Sequence, residues 1–410
     1  MNASTKETPS RPTHDFTLDN GLRVIVREDH RKAEFYSTLL YKVGSSYEHP
    51  DEQDISSIVM NALVDDYDHS LVEEVGGDYF NYAAQDSTCI ELQMPRGQLE
   101  TAFVLQSTVM KKEPSDEVFR RHWDDSILKS KEKSSFISAT LFSPELEALI
   151  ETGSSYYQSP EGMTASLERL NLEKIRHWQK TWYGPNNAVL VVAGDVEPDE
   201  VKRLAEHYFG DIAQSDVPDR PFILGPSEPG YRQITQHLDT KRPLMLIIFN
   251  VPSLVTTTEP HSLRALQVLS SAHLDPAFTG AHLSPPASNM PRFNRGDTRL
   301  SLAFHFEGDP GEAEAHFWAL LEDVKRTPFS QAELVAAIEN ASNEQKNIND
   351  TLSGQSEIIG LLVANGLPWE LIDLEIAQLE SVTPDDIQKA AQTYLIRERA
   401  TVGYIFPMEQ

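Results

Sequence analysis

The sequence predicts an α+β fold of two similar domains, each a sheet with helices packed on one face. Two observations carry this. Strand-like and helix-like runs alternate along the whole chain, and one helix–turn–strand segment recurs 212 residues downstream. Residues 170–196, LNLEKIRHWQKTWYGPNNAVLVVAGDV, and residues 382–407, VTPDDIQKAAQTYLIRERATVGYIFP, place Ile175 against Ile387, Thr181 against Thr393 and Ala188 against Ala400 at that single offset, with Trp182 and Tyr394 matched as aromatics. Two such segments read as the corresponding ends of two similar units. Length agrees, since 410 residues of ordinary globular hydrophobicity hold roughly two or more domains. The Pro-rich stretch 217–229 marks the boundary, with an N-terminal domain over 15–216, a C-terminal domain over 230–410 and a polar, disordered tail over 1–14.

Taken in order, Leu22–Val26 and Ser37–Tyr41 are short β-rich runs separated by charged turn residues at Glu28–Lys32. Gln53–Leu63 has helical periodicity. After Gly76 and Gly77, a strand pair spans Asp78–Met94 and turns near Gln85 and Asp86, and helices follow at Gln98–Met110 and Ser115–Lys133. In the second half, Leu244–Phe249 and Leu300–Phe306 read as strands. Ser330 with Glu333 forms a capping box for a helix reaching about Asn349. Thr383 and Pro384 fit the N-cap and first position of the last helix.

A net charge of −28 opposes binding to nucleic acid or an anionic membrane, and suits solubility or a basic partner. The lone Cys89 precludes an internal disulfide, and its place in the alternating run Thr88–Leu92 makes it a buried, inert thiol. Met1–Thr13 lacks the apolar core of a secretory signal, and no apolar run reaches the ~18 residues of a membrane span. The expected compartment is the cytoplasm, or the periplasm if a leader precedes this sequence. Asp65 and Asp66, like Glu73 and Glu74, read as solvated surface, and Trp178, Trp182 and Tyr183 as core anchors. No GxSxG, phosphate-binding loop, GxGxxG or CxxC occurs. The closest histidines, His273 and His282, are nine residues apart, so no pair has the i, i+4 spacing that stacks two imidazoles over one zinc ion.

Residues 16–48, FTLDNGLRVIVREDHRKAEFYSTLLYKVGSSYE, nevertheless resemble the start of an insulinase-like, mitochondrial-processing-peptidase-like zinc peptidase of the short bacterial type. TWYGPNNAVLVVAGDV at 181–196 and VTPDDIQKAAQTYL near the C-terminus resemble two further hallmarks, so the similarity runs from Phe16 to Pro407. The resemblance implies two homologous domains with mainly antiparallel sheets that form half of a clam-shell chamber. It also implies a zinc ion held by an inverted HxxEH motif and a distal Glu, with the motif's Glu as general base.

Aligned from YKVGSSYE, the family's GxxHxxEHM falls on DISSIVMNAL. Ser57 and Asn61 then occupy the histidine positions and Met60 that of the base, while Ser130 stands at the distal ligand position. Glu132, two residues on, would point about 200° round the helix and is no substitute. The Arg and Tyr that active members bring from the second domain map to 283–294, which has only Arg292 and no Tyr. The resemblance thus implies a member without catalytic residues, zinc or other cofactor. It would partner an active, zinc-bearing sister subunit as a heterodimer, or a second copy of itself, and Phe80, Asn81, Tyr82 and Ala83 would form the peptide-binding edge strand. Two other functions stay open: a zinc endopeptidase with displaced ligands, and a stand-alone peptide-holding or scaffold protein.

Overall fold

Two sheets of matching strand order organise the chain. The computed structural model describes residues 11–65, 69–136, 143–151, 154–156, 160–221, 228–272, 287–289 and 293–408. The first half contains β1 (Thr13–Thr17), β2 (Arg23–Glu28), β3 (Glu34–Tyr41), α1 (Ile55–Val64), α2 (His69–Glu74), β4 (Asp78–Ala83), β5 (Thr88–Pro95), α3 (Leu99–Lys111), α4 (Asp116–Phe136), α5 (Pro144–Ile150), α6 (Pro160–Leu167), α7 (Leu172–Trp182), β6 (Ala188–Gly194) and α8 (Pro198–Phe209). The second contains β7 (Arg232–Leu238), β8 (Leu244–Val251), α9 (Pro260–Ser271), β9 (Ala287–Asn289), β10 (Thr298–His305), α10 (Pro310–Arg326), α11 (Gln331–Asp350), α12 (Leu352–Ala364), α13 (Leu371–Glu380), α14 (Pro384–Tyr394) and β11 (Ala400–Pro407).

The first sheet runs β1-β2-β6-β3-β5-β4 and the second β7-β11-β8-β10-β9. Each has one parallel pair, β2 with β6 and β7 with β11, and is otherwise antiparallel. Among the described residues, β1 has no counterpart in the second sheet. It starts at Thr13, inside the stretch read as a disordered tail.

The 212-residue offset extends well beyond the segment that revealed it. It carries α7 onto α14, the 3-10 turn Pro185–Asn187 onto Arg397–Arg399, and the start of β6 onto the start of β11. α5 lands within α12 and α6 within α13. The caps are local and legible: Asn171 accepts the Lys174 N–H ahead of α7, and Thr383 with Asp386, like Ser330 with Glu333, forms a reciprocal capping box.

Each sheet packs its own helices on one face. Val24, Val26, Leu39, Ile90, Leu190 and Val192 meet α1, α3, α7 and α8 in the first half, with Trp178, Trp182 and Tyr183 buried among them. Met245, Ile247, Phe249, Leu302 and Val402 meet α9, α10, α11 and α14 in the second. The opposite faces are covered by exchange. Ile25, Val189 and Val191 of the first sheet meet Ile359, Leu362 and Val363 of α12 and Ile372 of α13. Leu244, Leu246, Ile248 and Ile405 of the second sheet meet Leu146 and Ile150 of α5. Burial on both faces explains why β6 and β8 read as continuous apolar runs instead of alternating ones.

A buried ionic link reinforces the first exchange. Arg27, 1% exposed, donates from Nε to Gln355 Oε1 at 3.1 Å and from Nη1 to Asp373 Oδ2 at 3.2 Å. Gln355 donates in turn to Asp29 Oδ2 at 3.0 Å. Although burial opposes it, the bonds from Arg31 and Gln355 and the charge of Arg11 hold the Asp29 carboxyl well below the usual carboxylate range.

Candidate functional site

The helix α1 is entered through a tight passage. Gly44 ends the approach from β3, where a Cβ would collide with the Ala84 carbonyl, and Ser45 and Ser46 donate their N–H groups to Ala84 O at 3.0 Å and Gln85 O at 2.8 Å. Glu48 follows and reaches ahead to the start of α1. It accepts the Asp54 N–H at 2.8 Å, the Ser56 N–H at 3.0 Å and the Ser56 hydroxyl. Asp54, the N-cap residue, makes no side-chain cap bond, so Glu48 supplies acceptors for the free N–H groups of the first turn. Burial pushes the Glu48 carboxyl up to about 7, against the pull of the Ser56 bonds.

Asp54 has φ 69° and is the one non-glycine residue with positive φ among the described residues. It occupies the position where the motif GxxHxxEHM has its glycine. The backbone thus keeps a conformation that suits glycine although the side chain is no longer glycine.

Ser57 and Asn61 lie one turn apart on α1, both half-buried, and Met60 is buried in the first core at 1% exposure. Ser130 is buried on α4, donating to Ile127 O at 2.9 Å and accepting from the Thr164 hydroxyl at 2.9 Å. α1 packs against α4 and α7. Asp65, read as a solvated acid, is instead bound by Arg121 and by His122 Nε2 at 2.7 Å, which ties the end of α1 to α4. The helices that would carry the ligands are therefore neighbours. Hydroxyl, thioether and amide groups, however, do not make a zinc donor set. Among the described residues, no three His, Cys, Asp or Glu side chains are placed to hold a metal ion. Arg292 and the side chain of Glu132 lie outside the described residues.

Phe80, Asn81, Tyr82 and Ala83 lie on β4, which among the described residues pairs only with β5 and ends its sheet. Phe80 is 56% exposed. Tyr82, on the same face, is partly covered, and burial followed by the neighbouring Cys89 and Glu357 raises its hydroxyl well above the usual range. Cys89, opposite Tyr82, is buried as expected.

A family model described as Peptidase M16 inactive domain matches residues 169–276. The zinc protease PqqE of Helicobacter pylori (strain ATCC 700392 / 26695) is 24% identical over 434 residues, spanning 97% of this chain and 93% of that protein. The chain resembles the M16-like peptidases in sequence. Its M16-like fold is shared with the crystal structure of a protease from Helicobacter pylori, with TM-score 0.81, 18% identity and coverage of 97% of this chain and 100% of that one. It is shared equally with the peptidase M16 inactive domain from Pseudomonas fluorescens, with TM-score 0.80, 15% identity and coverage of 97% and 98%. The segment matched by the family model runs from just before α7 past α9, so it includes none of Ser57, Met60, Asn61 or Ser130.

Sequence reasoning missed Glu48 and Asp54. Glu48 stands in the quoted YKVGSSYE phrase, but nothing local shows that it caps a helix six to eight residues away. Asp54 could have been found, because an aspartate at the motif's glycine position points to a left-handed residue.

Proposed function

We propose that this chain is a non-catalytic M16-like homologue that binds extended peptide and pairs with a zinc-bearing sister chain, helping to enclose peptide between the two. The observation that carries the reading is α1. Its entry, its left-handed residue at Asp54 and its packing on α4 are all built, while Ser57, Met60, Asn61 and Ser130 offer neither metal ligands nor a base. The edge strand β4 supports peptide binding. It ends its sheet among the described residues and carries an exposed Phe80, and the strand has no lysine or proline of the kind that shields a sheet edge. Zinc and the attacking water belong to the sister chain in this reading.

Co-expression with a related chain that retains HxxEH, followed by size-exclusion chromatography, tests the partnership. Co-elution as one complex is expected, and separate elution at micromolar concentration rules the partnership out. Stable self-association without a sister chain would replace the heterodimer with a homo-oligomeric scaffold.

A further inference from the structure

The junction between the two halves holds an unusual group of cations for so acidic a chain. Arg295, just before β10, has its N–H bonded to Asp86 Oδ2 at 2.9 Å and its guanidinium 4.3 Å above the centre of the Tyr47 ring. Its Nη2 donates to Pro221 O at 2.6 Å, while Nη1 is buried with no acceptor. The neighbouring Arg220 donates to Ala364 O at 2.7 Å. Tyr47 is 7% exposed and its hydroxyl has no partner, although it lies in the field of Arg220, Arg295 and Asp86. Half-buried Lys42 lies in the field of Arg220 and Arg23.

The unmet Arg295 Nη1 and Tyr47 hydroxyl can both donate. Asp86, the nearby acid, already accepts from the Ser46 and Tyr156 hydroxyls and the Arg295 N–H, and Arg23 is taken by Asp15 at 2.6 Å. Among the described residues, no carboxylate forms an ion pair with Lys42, Arg220 or Arg295. The unmet donors of Arg295 and Tyr47 and the half-buried charge of Lys42 are costly, whereas Arg220 is exposed beside them; an anion with several acceptor oxygens satisfies the first three and is within the field of the fourth.

We propose that Lys42, Arg220, Arg295 and the Tyr47 hydroxyl form a binding site for an oxyanion, a carboxylate or phosphate group, at the junction of the two halves. Because the rest of the chain repels anions, binding here is local. The site stands apart from the zinc question and from the sister chain, so failure of one leaves the other intact.

The test is calorimetric titration of the full chain with inorganic phosphate, with acetate, and with two hexapeptides that differ only in a free or an amidated C-terminus. Wild type is expected to bind phosphate or the free-carboxylate peptide. Arg220→Gln and Tyr47→Phe are each expected to weaken that binding about tenfold or more. Tyr47→Phe removes an unpartnered hydroxyl, so the fold should survive it, and circular dichroism checks this. Preference for phosphate identifies a free oxyanion as the ligand, and preference for the free-carboxylate peptide over its amide identifies a peptide end. Absence of binding by wild type at about 10 mM of every probe, or binding unchanged in folded Arg220→Gln and Tyr47→Phe, overturns the proposal.

Discussion

At Asp54 the backbone asks for glycine and the chain supplies an aspartate. A left-handed conformation is tolerable for Asp but poor for a β-branched residue, so Asp54→Gly is expected to be neutral or to stabilise by up to ~1 kcal/mol, and Asp54→Val to cost roughly 1–2 kcal/mol. Urea denaturation checks both. Glu48 makes a pH-dependent contribution of definite sign. Its carboxyl rises on folding from the ordinary 4.5 to about 7, so its protonated form is favoured in the fold. That stability is fully present below 4.5 and is lost as pH rises through about 7. Urea midpoints should therefore fall between about pH 5 and 8, and the slope should flatten in Glu48→Gln. Lys42 has the opposite sign. Burial, then Arg220 and Arg23, lowers it from 10.5 to about 8, so its charge destabilises the anion-free chain below pH 8 and stability returns toward pH 10.5. Lys42→Met should accordingly raise the anion-free Tm at pH 7.

Among the elements, those with local chemistry were legible in the sequence. Ser330 and Glu333 announced α11, Thr383 and Pro384 announced α14, and the Gly76–Gly77 pair announced the β4–β5 hairpin. Ser330→Ala is expected to cost about 1 kcal/mol by loss of the cap. The exchange of α5 and α12 was not legible. α5 is a single short helix of seven residues, and nothing in PELEALI says which sheet it covers. The repeat concealed the exchange too, because corresponding segments cross to opposite halves. Ser57, Met60 and Asn61 could be proposed because a motif fixes spacing along one helix, whereas Lys42, Arg220 and Arg295 come from three separate segments and share no spacing. At β4, Phe80→Ala should weaken binding of an extended peptide without lowering Tm, since the side chain is mostly in water; fluorescence anisotropy with a labelled peptide reads this directly.

For the whole molecule, the exchanged helices mean that neither sheet is closed by its own half. The apolar contacts of α12 with the first sheet and of α5 with the second, together with Arg27 bonded to Gln355 and Asp373, should make unfolding one cooperative event. Calorimetry is expected to show a single transition. Arg27→Met should lower stability by about 3 kcal/mol or more, because Gln355 and Asp373 lose a buried partner. α1 is fastened by Glu48 at its start and by Asp65 at its end, so its place does not depend on a metal ion.

The central claim is that a zinc-peptidase scaffold survives here with its ligand positions filled by residues that cannot bind the metal. The direct measurement is the zinc content, after dialysis, of the wild type and of the folded triple variant Ser57→His/Asn61→His/Ser130→Glu. The account requires no retained zinc in the wild type and equimolar zinc in the variant, since the helices that carry the three positions already touch. Equimolar zinc in the wild type, or none in the folded variant, would contradict it.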